Sequence, residues 1–511
     1  MTVSGQIRRG AYFDSVTLMR VGKELSGMPG VGDAAVVMGT RSNKAILAAA
    51  GLLVTEFQNA RDTDLLIAVE ASSDKAASEA IAKTDALLKG ATRKTAASDQ
   101  ARAGSMDEAV NLLPGANMAV ISVAGRYAGD EAMKALARGL HVMLFSDNVP
   151  LEKEIELKKY GAKKGLLVMG PGAGTAIING VPLAFANVVN RGRIGVVAAA
   201  GTGLQEVTSI ITGEGDGISQ AIGTGGRDVK KTVGGIMFLA AIKALAADPS
   251  TKVILLVSKP PDAAVLRKIS AAVRAIKKPV VQLFLGAKPR PGEPRTLEEA
   301  AHVAVALARG EKPDAALQRL AVRDADIVKL ARREAAKRKK GQRYVRGLFS
   351  GGTFCAEAQV ILGGLLKDVY SNAPTGRAKP LKNPLKSQKH TVIDLGEEEF
   401  TQGRPHPMID YSLRKQRLGQ EANDRETAVI LLDVVLGFGS NMNPAAELRD
   451  VIRSASRRVR VVCSVTGTTQ DPQNADRVRE LLEKAGAIVM PSNAAACKLA
   501  AGIARNLGHV H

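Results

Sequence analysis

The feature that most constrains this chain is a strand pattern that runs through glycines into a helix pattern, twice in succession between Arg191 and Val233. Ile194–Ala199 is a short apolar run that reads as a buried parallel strand. Gly201-Thr202-Gly203 follows it, and a helical pattern then begins at Leu204, Val207 and Ile210. The apolar run Ile218–Ile222 ends in the same way, in Gly223-Thr224-Gly225-Gly226-Arg227-Asp228. A helix entered through glycines presents backbone N–H groups that lack intrahelical partners, and its dipole favours an anion there. Both turns should lie at the carboxyl ends of neighbouring strands, where open α/β sheets bind ligands. Glycines of this kind can also serve only to make tight turns. Two turns in tandem with Thr, Arg and Asp favour an anion site using Gly201, Thr202, Gly203, Gly225, Gly226 and Arg227.

The pattern recurs towards the carboxyl end. Strand-like Ala428–Val434 runs into Leu436-Gly437-Phe438-Gly439-Ser440-Asn441, and a helix is expected from Pro444. Gly347–Ala358 (GLFSGGTFCAEA) carries a third Gly-Gly-Thr turn, with Glu357 near the start of the helix behind it. A phosphate between two facing helix N-termini gains from both dipoles, so Gly437, Gly439, Ser440 and Asn441 join the anion-binding candidates. Upstream, short strands at 118–123, 141–145 and 165–169 alternate with helices, which predicts a doubly wound parallel sheet. The first 92 residues read as a ferredoxin-like or ACT-like α+β sandwich, opening on a strand at Gln6–Phe13, with a polar linker over Ala91–Gly104.

Charge narrows the ligands. The formal net charge is +21 and the pI about 9.9, a field that attracts nucleotides, coenzyme A, phosphorylated metabolites or nucleic acid. Zinc-ligand spacing, an aromatic-studded RNA platform and a helix-turn-helix are all missing, so neither a metal nor specific nucleic acid is expected. Three scattered cysteines make no disulfide framework. No apolar run is long enough for a bilayer and no signal-peptide pattern opens the chain, which points to the cytoplasm. The basic run Arg323–Arg346 reads as a solvated helix face or linker, and Ser371–Lys389 as a mobile basic loop. Asp394–Asp410 places Arg404 and His406 between prolines in a loop, a setting in which function concentrates. Lys259, at a strand end, is a phosphate-binding candidate or a solvated lysine.

From Asn117 to Lys288 the pattern resembles the alpha subunit of succinyl-CoA synthetase. The landmarks are Met169-Gly170-Pro171, Gly195-Val196-Val197 leading to Ala200-Gly201-Thr202 and Glu206, and Ile222-Gly223-Thr224-Gly225-Gly226. The part from Arg425 on resembles the carboxy-terminal domain of the beta subunit, with Leu436-Gly437-Phe438-Gly439 at its turn. The whole chain is similar to the FdrA family, which fuses these pieces; YFDSVTLMRVGKELSGMPGV, Leu348–Glu357 and GRPHPMID carry that likeness. The resemblance implies an α/β architecture: an amino-terminal sandwich (1–92), a Rossmann-like coenzyme A-type domain (105–190), a flavodoxin-like domain (191–330) and a beta-type carboxy-terminal domain (345–511). It also implies two helices that point together at a phosphate.

The departures matter as much. The synthetase's Gly-His-Ala-Gly motif, which carries its phosphorylated histidine, is replaced by LGAKPRPGEPRT, and His302 lies inside an amphipathic helix. The glycine-rich loop that opens the synthetase's coenzyme A domain and an ATP-grasp domain are both missing. The resemblance therefore implies a subunit of an oxamate carbamoyltransferase, holding carbamoyl phosphate or phosphate, with Glu206, Arg404 and His406 as catalytic candidates and Arg227 for the carboxylate or carbamoyl end. Glu206 could orient a donor or cap structure. The alternatives are an acyl-CoA synthetase component that borrows its ATP-grasp domain, with coenzyme A as a ligand, and a non-catalytic scaffold. Small anionic substrates and partner subunits are expected and no membrane; a homo-oligomer is left open.

Overall fold

The computed structural model describes residues 2–11, 13, 15–93, 103–287, 289, 292–401 and 405–508. They form two compact units, one of Met1–Ala116 with Ser122–Ala124 and Glu398–Pro405, the other of Asn117–Ile121, Gly125–Glu397 and His406–His511.

In the first unit Leu65–Ala71 is the middle strand of an antiparallel sheet, flanked by Thr2–Arg8 and Val31–Met38. Strand alternation sends Leu65, Ile67 and Val69 to one face, where they pack with Leu18, Val21, Leu25 and the Asp74–Arg93 helix. Leu66 and Ala68 face Leu47, Leu52 and Phe57 on the other side. The first strand starts and ends earlier than its sequence pattern suggests, because pairing runs from Thr2 opposite Ala71 to Arg8 opposite Leu65.

The second unit holds three sheets. Met118–Ile121, His141–Leu144 and Val168–Met169 form a small parallel sheet. A six-stranded sheet runs Val280–Phe284, Val253–Ser258, Arg191–Ala198, Ile218–Gly223, Thr175–Ile178, Val181–Ala184; the first four strands are parallel and the last two form an antiparallel hairpin. A seven-stranded parallel sheet runs Lys379–Pro380, Val369–Ser371, His390–Asp394, Tyr344–Phe349, Thr427–Val435, Arg460–Thr466, Ile488–Met490. Thr427–Val435 is buried at every position, as a strand covered on both faces must be. The two large sheets share one apolar core. Its helices are Gly201–Gly213 and Leu297–Arg309 from the first half, Gly352–Leu365 and Asn493–Gly508 from the second, and Pro313–Ala335 between.

Two stretches differ from their sequence reading. Ser371–Lys389 contributes Ser371 and Lys379–Pro380 to the seven-stranded sheet, and Arg417 donates to Leu385 O and Ser387 Oγ. The basic run does not end in solvent. Arg346 is 2% exposed, inside the Tyr344–Phe349 strand, and pairs with Glu421 at 3.2 Å and Asp424 at 2.8 Å.

One polar residue interrupts the apolar central strand for a reason. Asp433 accepts from Ser350 N at 2.8 Å, Ser350 Oγ at 2.8 Å and Gly351 N at 3.0 Å, and buried Arg414 neutralises it at 2.9 Å. The Ser350-Gly351 turn is thereby fixed at the end of its strand. Asp433→Ala leaves Arg414 buried and unpaired, so a loss of about 3–5 kcal/mol is expected. Thermal melting tests this, and a loss under about 1 kcal/mol would show that the pair does not hold the turn.

Candidate functional site

Two helix starts meet at the carboxyl ends of the two large sheets. Gly201–Gly213 follows the Arg191–Ala198 strand and Gly352–Leu365 follows Tyr344–Phe349. Neither has a side-chain cap or an acidic residue in its first turn. Their first intrahelical bonds are Leu204 N to Ala200 O and Cys355 N to Gly351 O. The N–H groups of Gly201, Thr202, Gly203, Gly352, Thr353 and Phe354 therefore have no carbonyl partner within their helices. The two starts interlock. A Cβ placed on Gly203 would lie 2.7 Å from Thr353 Cγ2, and one on Gly351 would lie 2.6 Å from Thr202 Oγ1. Thr202 is 8% exposed, and among the described residues its hydroxyl has no hydrogen-bond partner. Lys259 Nζ is 3.8 Å from where a Gly352 Cβ would sit. Gly201, Lys259 and Gly352 remain partly exposed, so this corner is reachable from solvent.

The same two helices each carry a glutamate four residues after the threonine, one turn further along the same face. Glu206 Oε1 accepts from Asn493 N at 3.0 Å, the first residue of Asn493–Gly508, and Oε2 bonds the Thr466 hydroxyl. Glu357 Oε1 accepts from Leu297 N at 2.7 Å, the first residue of Leu297–Arg309, and Oε2 accepts from Asn493 Nδ2 at 2.8 Å. Each half of the unit thus caps the closing helix of the other half. Burial pushes the Glu206 carboxyl up to about 7 and the Glu357 carboxyl up to about 8. Each closing helix has a carboxyl group on its first N–H; among the described residues the first-turn N–H groups of the two opening helices have none, Asp433 holding only the Gly351 N–H that precedes the second.

The structure separates the residues expected from sequence. Gly201, Thr202 and Gly203 lie at the junction. Glu206 is on the same helix but buried, its Oε1 capping the Asn493 helix and its Oε2 on the Thr466 hydroxyl, which is the second of its two expected roles. Gly225 backs onto the Gly170-Pro171 turn, its Cβ position 2.7 Å from Pro171 O, and Gly226 is exposed beside it. Arg227 is engaged within the protein: its Nε pairs with Glu154 at 2.7 Å and its Nη2 donates to Val149 O at 2.9 Å. Buried Lys158 and Asp228 complete that network.

The Gly437–Asn441 turn differs most from expectation. Gly437 N donates to Gln473 Oε1, Phe438 N to Ala186 O, and Asn441 N to Met408 O. Gly439 packs on Phe185, Ser440 Oγ donates to Leu436 O, and Asn441 Nδ2 donates to Ile409 O. Its helix begins only at Pro444, which has no N–H. Three N–H groups of the turn are thus taken up within the protein, and the helix start packed against the Gly201 helix is that of Gly352. His406 is partly buried, its ring 5.8 Å from that of Phe185; burial pushes it down to about 4, and neutral Nδ1 accepts from Met408 N at 3.3 Å. Arg404 lies outside the described residues. Sequence reasoning passed over Gly351, Gly352 and Thr353 as site residues; the repeated Gly-Thr-x-x-x-Glu spacing was the signal that could have found them.

Over 506 residues the chain is 40% identical to YahF of Escherichia coli, covering 96% of this chain and 97% of that one. The chain belongs to the YahF family. Residues 348–503 match the CoA-ligase family and residues 1–104 the AllF heavy metal-associated domain, so this YahF relative is an FdrA-like protein on a succinyl-CoA synthetase-like scaffold. The AllF-type segment contains neither Cys nor His, and among the described residues no group of three or more His, Cys, Asp or Glu could hold a metal ion. The chain is also 26% identical over 180 residues to the alpha subunit of an ADP-forming succinate–CoA ligase of Methanothermobacter thermautotrophicus, covering 35% of this chain and 60% of that one. With the ADP-forming sulfoacetate-CoA ligase subunit SauD of Bilophila wadsworthia it shares 26% over 151 residues, 28% of this chain and 50% of that one. The chain thus spans between half and three-fifths of these ligase subunits. No described helix is long and apolar enough to cross a membrane.

The exchanged caps make a pH prediction. Glu206 and Glu357 hold protons in the folded state that the unfolded chain has released above the ordinary carboxylate range. Their contribution is complete below about pH 4.5 and declines as pH rises through about 7 to 8. Melting temperature is expected to fall between those limits, and less steeply in Glu206→Gln with Glu357→Gln, whose amides keep an acceptor for each helix start. Equal slopes would show that other groups set the dependence.

Proposed function

We propose that this chain holds an acyl phosphate by its phosphate group at the paired starts of Gly201–Gly213 and Gly352–Leu365, and transfers the acyl group to an acceptor as one component of an acid–CoA ligase-type enzyme. Nucleotide chemistry in this reading resides on a partner subunit. One observation carries it: two uncapped helix starts interlock around an unpartnered, buried Thr202 hydroxyl with Lys259 beside them. Backbone N–H groups, two dipoles and a lysine stabilise the charge that collects on a departing phosphate. The succinate–CoA and sulfoacetate-CoA ligase relatives support the ligase class. Coenzyme A enters this reading only as an acceptor.

A second reading is carbamoyl transfer from carbamoyl phosphate to oxamate, and the missing phosphoryl carrier favours it. Leu285–Thr296 contains no histidine, and both glutamates of the opening helices are engaged as caps. Direct attack on a bound acyl phosphate needs no carrier, and proximity supplies much of the rate.

Phosphate release from acetyl phosphate and from carbamoyl phosphate, each with coenzyme A or oxamate, separates the two. Measurements use the chain alone and with a nucleotide-binding partner subunit. Release dependent on coenzyme A is the ligase outcome; release from carbamoyl phosphate dependent on oxamate is the transferase outcome. Thr202→Val and Lys259→Met are expected to lower either rate about 10- to 1000-fold with the fold retained. No release with any acceptor, or no effect of either substitution, would overturn the proposal.

A further inference from the structure

We infer that Asp394 is the proton-transfer group of this anion seat: its Oδ2 takes the proton of the attacking nucleophile and hands it to the departing phosphate. This rests on the reading of the seat proposed above. Asp394 ends the His390–Asp394 strand beside Tyr344–Phe349, and is 2% exposed. Its backbone is clamped by Asn372, which accepts from Asp394 N at 2.9 Å and donates to Asp394 O at 3.0 Å. Oδ1 accepts from Gly396 N at 2.9 Å. Among the described residues Oδ2 has no hydrogen-bond partner, and it lies 2.7 Å from where a Cβ on Gly352 would sit. Gly352 is the first residue of its helix, so an unpartnered carboxylate oxygen of a buried residue lies at the helix start, with Lys259 Nζ 3.8 Å from the same point.

The surrounding charges suit a proton carrier. Burial above all, with Glu397 and Asp433, raises the carboxyl to about 7 against the opposing pull of Lys259 and the Gly396 N–H. The Cys355 thiol is a further titratable neighbour, itself held protonated by burial. On the Oδ1 side, His406 Nε2 is 2.9 Å and Oδ1 3.1 Å from the Gly396 Cβ position; His406 is neutral there. Asp433 is neutralised by Arg414. A group that exchanges its proton near neutral pH suits general acid–base work. In the transfer the nucleophile loses its proton to ionised Asp394 and bonds to the acyl carbon. The carbon–oxygen bond to phosphate breaks, its electron pair stays on the phosphate oxygen, and the proton passes from Asp394 to that oxygen. Hydrogen phosphate leaves and Asp394 is ionised again.

The test uses sulfate, which brings no proton of its own near neutral pH. Calorimetry of the full chain with sulfate at pH 8, in buffers of different ionisation enthalpy, counts the protons taken up. About one proton per sulfate is expected for the native sequence and none for Asp394→Asn, which should bind sulfate at least as tightly. Lys259→Met is expected to weaken binding about tenfold and keep the uptake. Equal uptake in the native chain and Asp394→Asn would overturn the role of Asp394 and leave the seat standing. Absence of sulfate binding to the native chain would overturn the seat and the role together. If Asp394→Asn fails to fold by circular dichroism, Asp394→Glu replaces it: a shifted pH midpoint for sulfate affinity supports the assignment, and an unshifted one overturns it.

Discussion

Two buried carboxylates exchanged between the halves of the larger unit hold its architecture in place. Glu206 caps the helix at Asn493 and Glu357 caps the helix at Leu297, so neither half can shift without uncapping the other. A helix start left buried without a partner is costly, because its first N–H groups have no carbonyl within the helix. The exchange meets that cost for the closing helices and fixes the crossing of the opening ones. The crossing in turn depends on glycine: at Gly203 and Gly351 a side chain would strike Thr353 and Thr202.

An electrostatic asymmetry follows. Four helix starts lie near the strand ends; two have a carboxyl group on their first N–H, and among the described residues the first-turn N–H groups of the other two have none. The uncapped pair lies at the partly exposed corner, with Lys259 nearby and Asp394 behind it. A fold that needed only stability would gain about 1 kcal/mol from a polar cap at each opening helix. Leaving both bare retains the positive ends of two dipoles for an anion.

Much of this was legible in the sequence. The strand–glycine–helix turn at Gly201 stands out because its strand is uniformly apolar and its helix periodic, and both properties are local. The choice of partner turn was not legible. Gly437 and Gly352 both follow buried strands, and only tertiary packing shows that Gln473, Ala186 and Met408 engage the N–H groups of the first. Arg227 looks free in sequence because Glu154 is far along the chain. The His390–Asp394 strand is short and lies between a basic stretch and a proline-rich loop, so no periodicity marks it; its place between Tyr344–Phe349 and Val369–Ser371 makes it a strand. Arg346 ends a run of charges that reads as solvated, and its burial is tolerable only because Glu421 and Asp424 reach it from a distant helix and turn.

The central claim is that an anion binds where the two opening helices meet. Crystals soaked in selenate test it directly, because the selenium anomalous signal locates the anion without reference to activity. The account predicts a peak at the N–H groups of Thr202–Gly203 and Thr353–Phe354, with Lys259 turned towards it. A peak confined to the Gly225–Arg227 or Gly437–Asn441 turn, or no peak at the junction, would contradict it.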